Sequence, residues 1–272
     1  MLAIALPSAA QTRDQRRPIV VQGAMPIETE RLIAQLDKAK VEQIGGWMFW
    51  RGTVDGYPVV VSKTLKGVAS AAAATAIAIE RYHPAAIINQ GTAGGHDPAL
   101  HLYDIVLGTA AVSTGAFRTQ FRPAGGGSNP LDWRPLDLTA GEGSAGNDPN
   151  ARRIARFDGD ADLLAAARSA KPSYSRGRIV DGVIGTSDMW NDELDLIARF
   201  HSEYGTSVEE METAAAAHVA KQLSVPFLGI RIVSDNVTND SPYDPKTAEA
   251  CEDFVYQVVK TYIRSHKRQA LH

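Results

Sequence analysis

The stretch SVEEMETAAAAHVA, residues 207–220, places three glutamates directly before an alanine-rich run. Apolar side chains then recur at helical spacing, at Ala216, Val219, Ala220 and Leu223. The pattern predicts a strand that leads into a helix, with Glu210 and Glu212 at the junction. In α/β folds, ligands bind in the crevice at the carboxyl ends of the strands. Taken alone, however, the glutamates fit a solvated first helical turn better, because backbone dipoles favour negative charge there.

Three further motifs change that balance. GAMPIE (23–28) follows an apolar strand, and INQGTAGG (88–95) runs from another apolar strand into a glycine-rich loop. VPFLGIRIVSDN (225–236) is a third apolar run, which ends in Ser-Asp. All four motifs therefore combine a predicted strand with polar or glycine residues at one of its ends.

This order of motifs resembles the purine nucleoside phosphorylase and uridine phosphorylase superfamily. Within it, the likeness is strongest to the 5′-methylthioadenosine/S-adenosylhomocysteine nucleosidases, whose GAM-x-x-E motif matches GAMPIE. The resemblance spans residues 18–265. It implies one three-layer α/β/α domain with a central mixed, partly barrel-like sheet, and a homodimer that binds a small nucleoside.

Composition and charge exclude several other classes of protein. The chain has 272 residues, of which 44% are hydrophobic and 22% charged, and this composition is that of an ordinary globular protein. A net charge of −3 argues against a nucleic-acid partner, and no apolar run approaches the ~18–20 residues that a membrane span needs. Cys251 is the single cysteine, and the histidines form no HExxH pattern, so we expect no disulfide, metal or cofactor.

The first residues, MLAIALPSAAQ, suggest export. Ser8 and Ala10 suit the −3 and −1 positions of a signal-peptidase site before Gln11, although no positive residue precedes Arg13. We therefore expect a periplasmic or exported protein whose segment 1–17 is in part a signal peptide. The alternative is a cytoplasmic protein with an apolar tail.

The remaining chain alternates strands with helices, which predicts one α/β domain over residues 18–272. Strands are predicted at 18–24, 47–54, 57–62, 85–90, 103–112 and 178–184, and helices after Pro26, at 68–82, at 160–168, near 191–200 and from Asp244-Pro245. Residues 118–160 are rich in Gly, Pro, Asn and Ser and are predicted to form an insertion. Trp133 within it favours an element that docks on the domain.

The resemblance also assigns catalytic roles. Cleavage of a purine N-glycosidic bond passes through an oxocarbenium-like cation, so the purine must be protonated and a nucleophile held at the anomeric carbon. By resemblance, Asp235 is the acid toward purine N7, and Glu28 orients and deprotonates water. Arg231 matches an arginine near that water. Buried in an apolar strand, it also needs an ion-pair partner, which the glutamates could supply.

The sugar contacts follow from the same likeness. Glu212 matches a glutamate that holds the ribose 2′- and 3′-hydroxyls, and an ionised carboxylate has the acceptor oxygens for both. Met211 would pack on the sugar, while for Glu210 a structural role and a site role are equally favoured. Thr92 and Gly94 of the glycine loop would line the pocket.

The base is expected against GTSDMWND (185–192), where Met189 or Trp190 would stack on the purine, with Ser234 of the Ser-Asp motif nearby. Two alternatives to hydrolysis remain: a phosphate-dependent phosphorylase and a non-catalytic nucleoside-binding protein. Purine phosphorylases carry an arginine just before the glycine loop, whereas this chain has the neutral Asn89-Gln90. Since Glu28 would repel phosphate, these residues favour the nucleosidase.

Overall fold

The computed structural model describes residues 16–136 and 156–269. Its strands are β1 (Ile19–Gly23), β2 (Asp37–Ile44), β3 (Trp47–Val54), β4 (Tyr57–Lys63), β5 (Ala86–Gly95), β6 (Ile105–Ser113), β7 (Phe117–Arg118), β8 (Arg134–Pro135), β9 (Arg156–Asp158), β10 (Ile179–Thr186), β11 (Thr206–Glu210) and β12 (Phe227–Asp235). Its α-helices are α1 (Glu30–Ala34), α2 (Val68–Tyr82), α3 (Ala161–Ala170), α4 (Leu194–Tyr204), α5 (Thr213–Gln222) and α6 (Thr247–Gln269).

The central sheet closes on itself over part of its width. Its strand order is β11-β10-β6-β12-β5-β1-β4-β3-β2, and β11 also pairs with β5. Strands β5, β12, β6, β10 and β11 therefore form a ring, and the other strands extend from it as an open sheet. Parallel pairs such as β1–β5 occur beside antiparallel pairs such as β12–β6. The predicted mixed, partly barrel-like sheet is thus confirmed.

Helices cover both faces of this sheet. One apolar core joins the sheet to α1, α3 and α6, and a second joins it to α2 and α5. Cys251 of α6 lies in the first core, and burial raises the pKa of its thiol to about 12, so this cysteine is not a nucleophile. The predicted three-layer α/β/α arrangement is confirmed.

Several element boundaries differ from the sequence prediction. The last helix begins at Thr247 rather than at Asp244-Pro245, because a turn with i→i+3 hydrogen bonds precedes it. Asp244 caps this turn, since its side chain accepts the Lys246 N–H at 2.9 Å. Leu223 ends α5 and is 43% exposed, so it does not belong to the buried helix face. Strand β2 was not predicted; most of its side chains are exposed, and it lacks an apolar alternation.

The predicted glycine loop is also wrong in part. Residues 91–95 continue β5 and pair with β12 and β11. Glycine favours loops by its flexibility, but here it serves close packing. A side chain at Gly91 would meet Glu28 Oε1 at 2.6 Å, and one at Gly95 would meet the Asn236 amide at 2.4 Å.

The described part of segment 118–160 docks on the domain. The Trp133 ring packs 5.9 Å from the Phe117 ring, and Arg199 of α4 donates to the backbone carbonyls of Pro130 (2.9 Å) and Trp133 (2.6 Å). Residues 137–155 of the predicted insertion, and the predicted signal segment up to residue 15, lie outside the described residues. Within the described ranges, no helix is long and apolar enough to cross a membrane.

Candidate active site

A cleft opens where β5, β11 and β12 end. Small-molecule ligands bind in concave sites of this kind, lined by apolar side chains and a few polar groups. Ten of the eleven predicted site residues line it: Glu28, Thr92, Gly94, Met189, Trp190, Glu210, Met211, Glu212, Ser234 and Asp235. The strand ends thus collect these side chains from five separate parts of the chain.

Glu28 is buried and firmly held. Its Oε2 accepts the backbone N–H groups of Ala24 (2.9 Å) and Met25 (3.0 Å). Its Oε1 accepts the Thr92 N–H at 2.9 Å and the Thr92 hydroxyl at 3.1 Å. An ionised carboxylate has about four acceptor sites, so these donors fill them all. The hydroxyl is the one donor that can rotate away.

Arg231 lies behind the cleft and does not belong to the described residues that line it. Its guanidinium donates to both Glu210 Oε2 and Asn89 Oδ1, the latter at 2.6 Å. Burial would lower the pKa of Arg231, but the charges of Glu210, Glu212 and Glu28 raise it above its ordinary value. The predicted ion pair with a glutamate is therefore present, and Glu210 is the partner.

Glu210 supports the start of α5 as well as Arg231. Its carboxylate accepts the backbone N–H groups of Glu212 (3.0 Å) and Thr213 (2.9 Å) and also the Thr186 hydroxyl. These two N–H groups belong to the helix end, which a carboxylate stabilises. Of the two roles left open by the sequence, the contacts favour the structural one.

Glu212 stands at the junction that the sequence predicted, between β11 and α5. Its Oε1 accepts the Gly67 N–H at 2.9 Å, and its Oε2 lies 3.9 Å from the Arg231 guanidinium. Burial and the charge of Glu210 raise the pKa of Glu212 to about 8, against the opposing effects of Arg231 and of the Gly67 N–H. Its Oε2 accepts no hydrogen bond from a described residue, and the Glu212 side chain lines the cleft.

Asp235 ends β12 beside Ser234, whose hydroxyl lies 2.8 Å from Asp235 Oδ1. Burial is the main cause that raises the pKa of Asp235; the Ser234 hydrogen bond opposes it, and the charges of Asp192 and Glu209 add to it. A carboxyl with a raised pKa in an apolar cleft suits the role of an acid near neutral pH.

The two candidates for stacking differ in their surroundings. Met189 is half-buried and packs against the cluster of Val112, Leu196, Phe200 and Tyr204. Trp190 is 65% exposed, and its ring meets the Tyr243 ring edge-on, with centroids 5.5 Å apart. Trp190 is therefore the aromatic face that remains available to a ligand.

Seven residues that line the cleft were not predicted as site residues, and three of them have side chains that can ionise: Lys66, Glu209 and Tyr243. Glu209 was seen in the acidic run but was given no role. Its backbone pairs with Gly94, which turns its side chain into the cleft. That pairing joins strands far apart in sequence, so no local pattern could reveal it. Neither Lys66 nor Tyr243 lies in a motif.

Among the described residues, no group of three or more His, Cys, Asp or Glu side chains could hold a metal ion. The carboxylates of the cleft are instead engaged by N–H groups, hydroxyls and Arg231. The arrangement can bind a polar ligand, donate a proton from Asp235 and accept one at Glu28.

The partly closed sheet and the position of the cleft define a nucleoside phosphorylase-like α/β protein. The family model described as "Phosphorylase superfamily" matches residues 18–264, and the chain belongs to this family.

Relatives and solved structures agree with that assignment. The chain is 34% identical to the 5′-methylthioadenosine/S-adenosylhomocysteine nucleosidase of Shewanella pealeana, over 83% of this chain and 89% of that protein. It is 30% identical to the nucleosidase of Bacillus cytotoxicus, over 89% of this chain and 98% of that protein. The Neisseria meningitidis nucleosidase in complex with methylthio-immucillin-A superposes with a TM-score of 0.72, at 26% identity over 90% of this chain and 99% of that one. The Colwellia psychrerythraea nucleosidase in complex with adenine superposes with a TM-score of 0.71, at 28% identity over 91% of this chain and 96% of that one.

Proposed function

We propose that this protein hydrolyses the N-glycosidic bond of 5′-thio-substituted adenosines, such as 5′-methylthioadenosine and S-adenosylhomocysteine, and releases adenine. The observation that carries the proposal is the convergence of Glu28, Glu212 and Asp235 on one cleft. These three carboxyl groups suit the three tasks of the reaction: activation of water, binding of the ribose and protonation of the base. The names of the relatives support the same substrate class.

The acid step belongs to Asp235. Its carboxyl gives a proton to purine N7 while the C1′–N9 bond breaks and its electron pair passes to the purine. Ser234 holds the other carboxyl oxygen in place at 2.8 Å. Because the base leaves as a neutral purine rather than an anion, the barrier to bond cleavage falls.

The base step belongs to Glu28 and involves Thr92. The attacking water needs an acceptor site on the Glu28 carboxylate. The three backbone N–H groups that donate to this carboxylate are fixed and cannot release a site. The Thr92 hydroxyl, at 3.1 Å from Oε1, can rotate to release its site to the water. Glu28 then takes the water's proton as the oxygen attacks C1′, which gives the free thioribose.

The ribose is held by Glu212. Its Oε1 is fixed by the Gly67 N–H at 2.9 Å, and its Oε2 is left for the 2′- and 3′-hydroxyls. Although burial raises the pKa of Glu212 to about 8, the positive charge that develops on the ribosyl group favours the ionised carboxylate during the reaction. Met211 packs against the sugar. Arg231 and Glu210 act from behind, since they fix the start of α5, from which Glu212 projects.

Trp190 stacks on the purine in this proposal, with Tyr243 behind it. The exposed ring faces are available to a flat base, whereas Met189 is already packed against Phe200 and its neighbours.

Charge disfavours the phosphorylase alternative. Of the described residues that line the cleft, one is cationic, Lys66, and five are carboxylic: Glu28, Glu209, Glu210, Glu212 and Asp235. A phosphate ion in this setting would meet more repulsion than attraction. A non-catalytic binding protein would need no carboxylate at the position of Glu28, held by four donors.

One assay separates the three functions. Purified protein is incubated with 5′-methylthioadenosine, with and without phosphate, and free adenine and the sugar product are measured. Hydrolysis gives adenine and free methylthioribose at the same rate in both. Phosphate-dependent release of a ribose 1-phosphate would establish a phosphorylase. Binding without any release of adenine would establish a binding protein.

The proposed assembly is a homodimer whose second subunit helps to close the 5′ end of the cleft. Exposed apolar side chains at the cleft support it: Trp190 is 65%, Tyr243 45% and Leu65, next to Lys66, 38% exposed. A mass of one chain in light scattering at micromolar concentration would contradict the dimer. For location, export with cleavage before Gln11 remains our proposal, on the pattern Ser8-Ala9-Ala10.

A further inference from the structure

A second carboxylate faces the proposed acid across one glycine. In the sheet, Gly94 of β5 is paired with Glu209 of β11 on one side and with Asp235 of β12 on the other. Side chains of directly paired residues lie on the same face of a sheet. A methyl group placed on Gly94 would lie 3.3 Å from Asp235 Oδ2 and 3.8 Å from Glu209 Cγ. Because Gly94 has no side chain, the Asp235 carboxyl and the Glu209 side chain face each other across it with no other side chain of β5 between them.

Glu209 is anchored in a way that suits a fixed negative charge. Its Oε1 accepts the Asn191 N–H at 3.1 Å, and its Oε2 lies 2.9 Å from His96 Nε2. This second contact is electrostatic rather than an aligned hydrogen bond, since neither atom has a hydrogen-bond partner among the described residues. His96 Nδ1 in turn lies 2.7 Å from the Thr206 hydroxyl. Glu209 and His96 are both buried.

Asp235, by contrast, has no such anchors. Its Oδ1 contacts the Ser234 hydroxyl, and its other neighbours with charge are Glu209 on β11 and Asp192 after β10. Tyr243, before α6, is a further titratable group near Asp235, since the charge of Asp235 contributes to the raised pKa of its hydroxyl. Among the described residues, no cation contributes to the pKa of Asp235. Lys66, the cationic residue that lines the cleft, lies at the ribose end, next to the Gly67 N–H that binds Glu212.

We propose that Glu209 is a positioning residue for the acid step, and that its charge across Gly94 keeps the proton on the Asp235 carboxyl at neutral pH. Two carboxyl groups that share one site do not both ionise easily, and the less anchored one keeps the proton. This inference rests on the proposed function of Asp235 as the acid. It adds a carboxylate whose role is to set the acid's protonation.

The test is the pH dependence of kcat/KM for 5′-methylthioadenosine. Activity should fall at high pH as Asp235 loses its proton. In Glu209→Gln that alkaline limb should move to lower pH by about 1 unit, because a nearby like charge has been removed. Glutamine can still accept the Asn191 N–H, so the loop should stay in place. Glu209→Asp keeps the negative charge, so its alkaline limb should lie closer to that of the wild type than the limb of Glu209→Gln does.

Asp192→Asn serves as the matched control. The charge of Asp192 raises the pKa of Asp235 at least as much as that of Glu209 does, but the Asp192 side chain is exposed. Added salt should therefore remove most of the limb shift in Asp192→Asn and leave the shift in Glu209→Gln, because Glu209 is buried. With a nitrophenyl riboside, whose leaving group needs no proton, Glu209→Gln should match the wild type at every pH.

A Glu209→Gln variant that is slower by the same factor at all pH values, with an unmoved limb, would overturn the proposal. Glu209 would then only hold the Asn191 loop. If this variant does not fold, carbon-13 NMR of the wild-type Asp235 carboxyl replaces it: titration of coupled groups proceeds in two steps, and a single step would refute the coupling. Absence of any nucleosidase activity would instead refute the proposed function, and the NMR titration would still test the pair.

Discussion

Substitution of Glu28 and of Asp235 by their amides should separate base from acid. Both variants remove a carboxyl group from the same cleft, and both should slow hydrolysis of 5′-methylthioadenosine by roughly 10²–10⁴-fold, the usual contribution of general acid–base catalysis. That loss corresponds to about 3–5 kcal/mol of transition-state stabilisation. The two variants differ in which half of the reaction they impair.

The structure also predicts different effects on stability. In Glu28→Gln the amide oxygen can keep the hydrogen bonds from the Ala24 and Met25 N–H groups. The amide nitrogen then faces the Thr92 N–H, which in the wild type donates to Glu28 Oε1 at 2.9 Å and in the variant has no acceptor. A buried N–H left without an acceptor costs about 1–3 kcal/mol of folding free energy. Asp235→Asn loses no backbone hydrogen bond of the described structure, so its melting temperature should stay close to that of the wild type.

The decisive assay uses two leaving groups. Rates are measured with 5′-methylthioadenosine and with a nitrophenyl riboside, which needs no proton to leave. The second substrate should largely rescue Asp235→Asn but not Glu28→Gln, because water still needs its base. Glu249→Gln, at an exposed carboxylate paired with Arg31, is the control for loss of a remote charge and should leave both rates unchanged. Rescue of both active-site variants, or of neither, would refute the assignment.

Three further predictions concern the sugar, the pH dependence of stability and the N-terminus. Glu212→Gln should impair ribonucleosides far more than 2′-deoxy analogues, since charge-assisted hydrogen bonds are about twice as strong as neutral ones; equal losses in kcat/KM would show that Glu212 does not hold the hydroxyls. Burial raises the pKa of Glu252 to about 8, so near neutral pH the folded state keeps a proton that the unfolded state has lost. The bound proton stabilises the folded state at low pH, and this stabilisation is lost as the pH rises toward 8, by at most about 1.4 kcal/mol per pH unit. Between pH 6 and 9 the melting temperature should therefore fall less in Glu252→Gln than in the wild type, and parallel curves would contradict this. Mass spectrometry of the native protein should find a chain that begins near Gln11; an intact Met1 would contradict export.

Local patterns predicted most of the fold because burial acts on them directly. The helix over 68–82 and the strand over 47–54 have the predicted bounds, since an alanine-rich run and a flanking Asp-Gly turn are unambiguous. Strand β2 escaped because an exposed strand carries no apolar alternation. The closure of the sheet by β11 and β5 came only from the family resemblance, because it depends on pairing between residues more than a hundred positions apart.

The sequence likewise predicted only part of the candidate site. Motifs brought Glu28, Glu212 and Asp235 to one cleft, as predicted. They could not show that Thr92 binds Glu28 instead of only lining the pocket, or which of the glutamates pairs with Arg231. Such contacts depend on side-chain direction at the ends of strands, which is fixed by register and by the absent side chains of Gly91 and Gly94.

The charge balance of the cleft explains how one arrangement can bind a neutral nucleoside and yet favour a cationic transition state. Arg231 is paired with Glu210 behind the wall and lies 3.9 Å from Glu212, and Lys66 is exposed at the opening. Burial is the main cause that raises the pKa of Glu212 to about 8, and the charge of Glu210 adds more than that of Arg231 removes. The substrate's ribose is uncharged, but the ribosyl group becomes positive as the bond to adenine breaks. Fixed carboxylates therefore interact more strongly with the transition state than with the substrate, and only such a difference accelerates the chemical step.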